Sequence, residues 1–117
     1  MKEIIFYRTA GGHCPVEKFL DSLTPQQAKK AAWVMQLVEE LDPVPSQYFR
    51  KLVNTDDIWE IRVIFSGNIF RFLGFFHRNK FVVLVHGFQK KTQETPQREI
   101  LTAEDRKRDY LKRGEPI

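Results

Sequence analysis

Three apolar runs, IWEIRVIF (58–65), NIFRFLGFF (68–76) and FVVLVHGF (81–88), follow one another with only Ser66-Gly67 and His77-Arg78-Asn79-Lys80 between them. Runs of this length, rich in β-branched and aromatic residues and separated by gaps too short for a helix, pair as antiparallel hairpins. The second half of the chain is therefore read as a three-stranded meander. The remaining elements must pack against it.

Lys2 to Arg8 (KEIIFYR) is a short β-prone run that ends at Gly11-Gly12. Helical signals follow. Pro15 can open a short helix through Leu20, and Thr24-Pro25-Gln26-Gln27 offers an N-cap hydroxyl, a proline at N1 and a glutamine at N3. Ala28, Ala31, Ala32, Met35, Val38 and Leu41 then recur at helical spacing, which gives this second helix an apolar stripe. Asp42-Pro43 closes it, and Pro43 to Ser46 forms a stiff connection. Thr95-Pro96 starts a last, mostly polar helix, with Ile100, Leu101, Ala103, Tyr110 and Leu111 as its apolar residues and Gly114 placed to end it. The order β-α-α-β-β-β-α predicts an α+β fold, an antiparallel meander with the helices packed on one face.

A chain of 117 residues is expected to form one domain over 1–117 with a single layered core. Its one cysteine, Cys14, cannot form an internal disulfide and is read as a small buried residue. No apolar run approaches the roughly 20 residues of a membrane span, and no signal-peptide pattern is seen, so a soluble, cytoplasmic protein is expected. Nineteen Lys and Arg against fifteen Asp and Glu give a formal charge of +4, compatible with a polyanionic partner without requiring one. The placement of the charge carries more information.

Side chains alternate along a strand, so Trp59, Ile61, Val63 and Phe65 share one face, read as the core face, and Ile58, Glu60, Arg62 and Ile64 share the other. By the same count Arg71 lies with Ile69, Leu73 and Phe75, and His86 with Val82, Leu84 and Phe88. Arg62 and Arg71 can meet across a hairpin, where two arginines repel unless a carboxylate or a phosphate lies between them. Two readings follow. In one, Glu60, Arg62 and Arg71 form an ion cluster on a solvated sheet face. In the other, Lys90, Lys91, Thr92 and Gln93, which leave the strand carrying His86, curl toward the arginines and complete a phosphate site.

His13 beside Cys14 lacks a second ligand pair at zinc-like spacing, so no metal site and no cofactor are expected. There is also no glycine-rich phosphate loop, no G-x-S-x-G and no acidic cluster of the magnesium-binding kind. The aromatic residues Trp59, Phe65, Phe70, Phe72 and Phe76 are read as core, while Phe75 stays open as a base-stacking platform.

Several stretches together carry a resemblance: Lys51-Leu52, then WEIRV, IFRFLGFF and VVLVHGFQKKTQETPQREI, then A-x-x-R-x-x-D-Y ending at Tyr110. They resemble the RelE/ParE superfamily of type II toxin-antitoxin toxins, in particular its phage-derived HigB-like branch, and the similarity runs from about Lys2 to Tyr110. The resemblance implies a RelE-like fold and a ribosome-dependent mRNA endonuclease restrained by a cognate antitoxin encoded nearby. It also implies that Arg62, Arg71, Lys90 and Lys91 hold the scissile phosphate, the same set reached from strand parity. Cleavage by the ribose 2'-hydroxyl needs no metal. It needs the phosphorane charge stabilised, a task suited to arginine, and two proton transfers, for which Glu60, His86 and the lysines are candidates. Lys51, Thr92, Gln93 and Phe75 are the candidate substrate-binding residues. Two other readings stay open: a ParE-like inhibitor of DNA gyrase without nuclease activity, and an inactive module that only binds its antitoxin.

Overall fold

In the computed structural model, which describes residues 2–90 and 94–114, the chain runs β1 (Glu3–Phe6), α1 (Pro15–Asp21), α2 (Pro25–Glu40), β2 (Phe49–Lys51), β3 (Trp59–Phe65), β4 (Asn68–His77), β5 (Phe81–Gln89) and α3 (Gln97–Lys112). The fold class is α+β, as expected. Strands β3, β4 and β5 form the antiparallel meander. The β3–β4 turn places Ser66 (φ 50°) and Gly67 (φ 79°) in the left-handed region, which matches the strand twist across a two-residue hairpin.

Two further strands turn the meander into a mixed sheet of order β1-β5-β4-β3-β2. β1 lies parallel to β5, and the three-residue β2 pairs antiparallel with β3. Sequence patterning misses β2 because three residues after a proline-rich connection carry no periodicity to read. Helix α2 begins with the expected capping box: the Thr24 hydroxyl accepts from the Gln27 amide at 3.2 Å, and Gln27 Oε1 accepts from the Thr24 amide at 3.0 Å. Its buried residues are Ala31, Val34, Met35 and Val38. Cys14 is buried at the start of α1. Among the described residues no helix is long and apolar enough to cross a membrane.

Helices cover both faces of the sheet, which corrects the expected single helical layer. Helices α1 and α2 pack on a core that includes Ile61, Val63, Phe70, Phe72, Val82 and Leu84. Helix α3 packs on a second core with Ile58, Leu73, Phe75, Val83 and Val85, to which it adds Ile100, Ala103 and Tyr110. The physical reason is visible in β4 and β5, which are apolar at both parities; such strands lose free energy unless both faces leave water. Phe75 is 1 % exposed and meets Tyr110 edge-on at 5.4 Å, so it is a core residue beneath α3 and not a stacking platform.

A β-bulge decides which residues join which face. The β4–β5 register passes from Leu73↔His86 to Gly74↔Leu84, which leaves Val85 as the extra residue. Simple alternation puts His86 and Phe88 with Val82 and Leu84; the bulge moves them to the α3 face, with Phe88 in the second core. Gly74 makes this possible. A Cβ at position 74 would stand 2.4 Å from the Val83 carbonyl oxygen.

Candidate functional site

Residues paired across antiparallel strands project to the same side. The pairs Arg50↔Glu60, Arg62↔Arg71, Glu60↔Leu73, Leu73↔His86 and Arg71↔Phe88 therefore put Arg50, Glu60, Arg62, Arg71 and His86 on the α3 face. Adjacent strands β2, β3 and β4 each contribute an arginine to this face, and those of β2 and β4 meet one carboxylate. Arg50 Nε lies 3.4 Å from Glu60 Oε1, Arg71 Nε lies 3.7 Å from Glu60 Oε2, and Thr95 Oγ1 donates to Glu60 Oε2 at 2.5 Å.

This cluster is not the solvated face that strand parity suggested. Glu60 and Arg71 are both 0 % exposed, Arg62 is half-buried, and the Arg50 side chain keeps 43 % of its surface in water. Thr95, ahead of α3, closes on the carboxylate. Burial holds the Arg71 guanidinium below its ordinary pKa; Glu60 opposes that shift, and the positive charges of Arg62 and Arg50 add to it. Two of the arginines thus act electrostatically on the third.

His86 forms a second group on the same face. Its Nε2 meets Glu99 Oε1 at 2.7 Å, its ring stacks on Phe88 with centroids 5.3 Å apart, and Arg106 Nη1 lies 3.2 Å from Nδ1. A guanidinium only donates, so Nδ1 is the acceptor and the proton sits on Nε2, donated to Glu99. The same Nη1 donates to the carbonyl of Val85, the bulged residue, at 2.9 Å. Burial lowers the His86 pKa and Arg106 adds to the effect, while the hydrogen bond and charge of Glu99 oppose it. His86 is therefore a neutral imidazole bonded to α3, not to a neighbouring strand.

The other candidates separate. The Lys90 amide donates to the Ile69 carbonyl at 3.2 Å, which continues the β4–β5 ladder past Gln89 and, by alternation, assigns Lys90 to the arginine face. Lys51 pairs with Trp59 in β2, so it belongs to the opposite face, where Nζ bonds Asp57 Oδ1 at 2.7 Å. Lys91, Thr92 and Gln93 lie outside the described residues. Arg50, Thr95, Glu99 and Arg106 were not among the sequence candidates. Arg50 follows from β2, and the other three reach the face only because α3 packs on it.

The model of one protein family, described as phage-derived protein Gp49-like (DUF891), matches residues 18–108. The chain belongs to this family. The match covers most of the Gp49-like chain, from α1 into α3, and takes in Arg50, Glu60, Arg62, Arg71, His86 and Arg106. β1 falls outside it. No curated protein matches the Gp49-like chain.

Proposed function

We propose that this Gp49-like chain is the toxin of a toxin-antitoxin pair, a RelE/HigB-like endonuclease that cuts mRNA on the ribosome without a metal ion. The observation that carries this reading is the gathering of Arg50, Arg62 and Arg71 from three adjacent strands on one sheet face, two of them against the carboxylate of Glu60, with Lys90 continuing the same face. Assembling like charges costs free energy unless something anionic uses them, and the guanidinium fork matches phosphate oxygens bidentately.

In this reading the ribose 2'-oxygen attacks phosphorus, the bond to the 5'-oxygen breaks, and the products are a 2',3'-cyclic phosphate and a 5'-hydroxyl. Arg62 and Arg50 hold the phosphate and the charge that develops on it. Arg71, buried with Glu60, supports them from below as a positioning residue. Glu60 serves the arginines, since it lies out of water and accepts from Thr95. The two proton transfers then fall to His86 and to the lysines that follow β5.

Purified protein added to programmed ribosomes tests the proposal. Truncated mRNA with a 5'-hydroxyl downstream end is expected, and a message carrying 2'-deoxyribose at the cut site should resist. Inhibition of DNA gyrase with intact mRNA would instead assign the ParE-like activity. Neither effect, with tight binding to a protein encoded beside this one, would leave an antitoxin-binding module.

A further inference from the structure

Beside the arginine face, a cleft of about 300 Å³ opens between α2 and the edge of the sheet. It is lined by Lys30, Gln47, Tyr48, Arg62 and Ile64. The Arg62 amide donates to the Tyr48 carbonyl at 2.9 Å, which ties the segment before β2 against β3 and sets the cleft's wall. Trp33, one turn along α2 from Lys30, packs on two of its lining residues: its ring meets Tyr48 edge-on at 6.0 Å and carries the Lys30 ammonium 4.7 Å from its centroid. Trp33 remains 45 % exposed and Ile64 53 % exposed. A solvated charged face has no need of a large indole and an isoleucine in water next to two cations. Single-stranded nucleic acid uses that combination, since bases stack on exposed rings while phosphates meet Lys and Arg.

We propose that this cleft is a subsite for a nucleotide flanking the cut, with Trp33 and Tyr48 as the aromatic surface for a base and Lys30 and Arg62 as the phosphate contacts. Arg62 belongs to both places, paired with Arg71 on the arginine face and lining the cleft, so a strand whose scissile phosphate sits at the arginines continues across Arg62 into it. Stacking tolerates any base, so the cleft contributes affinity and alignment of the strand with little base preference. The inference rests on the nuclease reading but makes its own demands on Lys30, Trp33 and Tyr48.

Binding of a 2'-O-methylated, uncleavable single-stranded oligoribonucleotide to the full chain, followed by anisotropy at several salt concentrations, provides the test. The same variants are assayed for cutting on programmed ribosomes. Trp33→Ala should weaken binding roughly 5- to 150-fold, the range seen when a stacking ring is removed, and Trp33→Phe should restore most of it. Lys30→Gln should flatten the plot of log affinity against log salt by about 0.7, the loss of one phosphate contact to a single strand. Lys29→Gln, the same charge removed from an exposed neighbour on α2, should change the slope much less. Equal effects of the two lysine variants, or wild-type affinity in Trp33→Ala, would overturn the cleft assignment even where mRNA is still cut. The expected pattern with no cutting would keep the cleft and remove the nuclease reading. Failure of the wild-type chain to bind the oligoribonucleotide overturns the cleft whatever the ribosome assay gives.

Discussion

Arg71→Ala removes one partner of an ion pair in which both residues are 0 % exposed. What remains is a buried Glu60 carboxylate that keeps Thr95 at 2.5 Å and the half-exposed Arg50 at 3.4 Å, but loses Arg71 at 3.7 Å. Breaking a buried pair by deleting one member costs about 3–5 kcal/mol, because the surviving charge stays out of water without compensation. Arg50 retains part of the attraction, which argues for the lower end, and the space left by a fully buried arginine argues for the upper. We therefore expect about 3–4 kcal/mol in a urea titration, equivalent to a fall of roughly 12–20 °C in Tm for a domain of this size. The pair variant Glu60→Gln/Arg71→Met removes both charges and should recover much of the loss; a double-mutant cycle measures the coupling. Arg71→Ala with an unfolding free energy within about 1 kcal/mol of wild type would refute the buried-pair reasoning. On the proposed nuclease reading, loss of cutting in Arg71→Ala is accordingly not diagnostic of catalysis by itself.

Arg62 is half-buried and lines an open cleft, so Arg62→Ala should stay within about 1 kcal/mol of wild-type stability yet lower mRNA cutting on programmed ribosomes by about 10²–10³. Intact cutting would remove Arg62 from the site. The folded-state pKa of His86 is lowered, so between that value and the ordinary one near 6.5 the unfolded chain binds more protons. Its contribution to stability is present above about pH 6.5 and is lost as pH falls below it, with a slope of at most about 1.4 kcal/mol per pH unit. His86→Gln should flatten that slope in a pH series of urea melts, and an unchanged slope would show that another group is responsible. Gly74→Ala places a Cβ 2.4 Å from the Val83 carbonyl, so it should destabilise by about 1–3 kcal/mol; an unchanged midpoint would mean that the bulge relaxes freely.

Local structure was legible in the sequence wherever one short segment carries its own signal. The capping box at Thr24 and Gln27 needs only four adjacent residues, and the meander needs only apolar runs separated by gaps too short to hold anything but turns. The meeting of Arg62 and Arg71 is legible in the same way, since alternation on two strands joined by a two-residue turn lets them lie opposite each other.

Tertiary structure decided whatever depends on how distant segments meet. Arg50 joins Glu60 through a three-residue strand that forms because β3 offers it an edge, not because FRK favours a strand. Thr95, Glu99 and Arg106 reach the site because α3 covers the second face of the sheet, which also turns Glu60 and Arg71 from solvated charges into a buried pair. The continuous apolar character of β4 and β5 signals that burial in the sequence, but not which helix supplies it. His86 shows the same limit over one residue: alternation is local, a bulge is a property of two paired strands, and the extra residue at Val85 turns the imidazole from one core to the other.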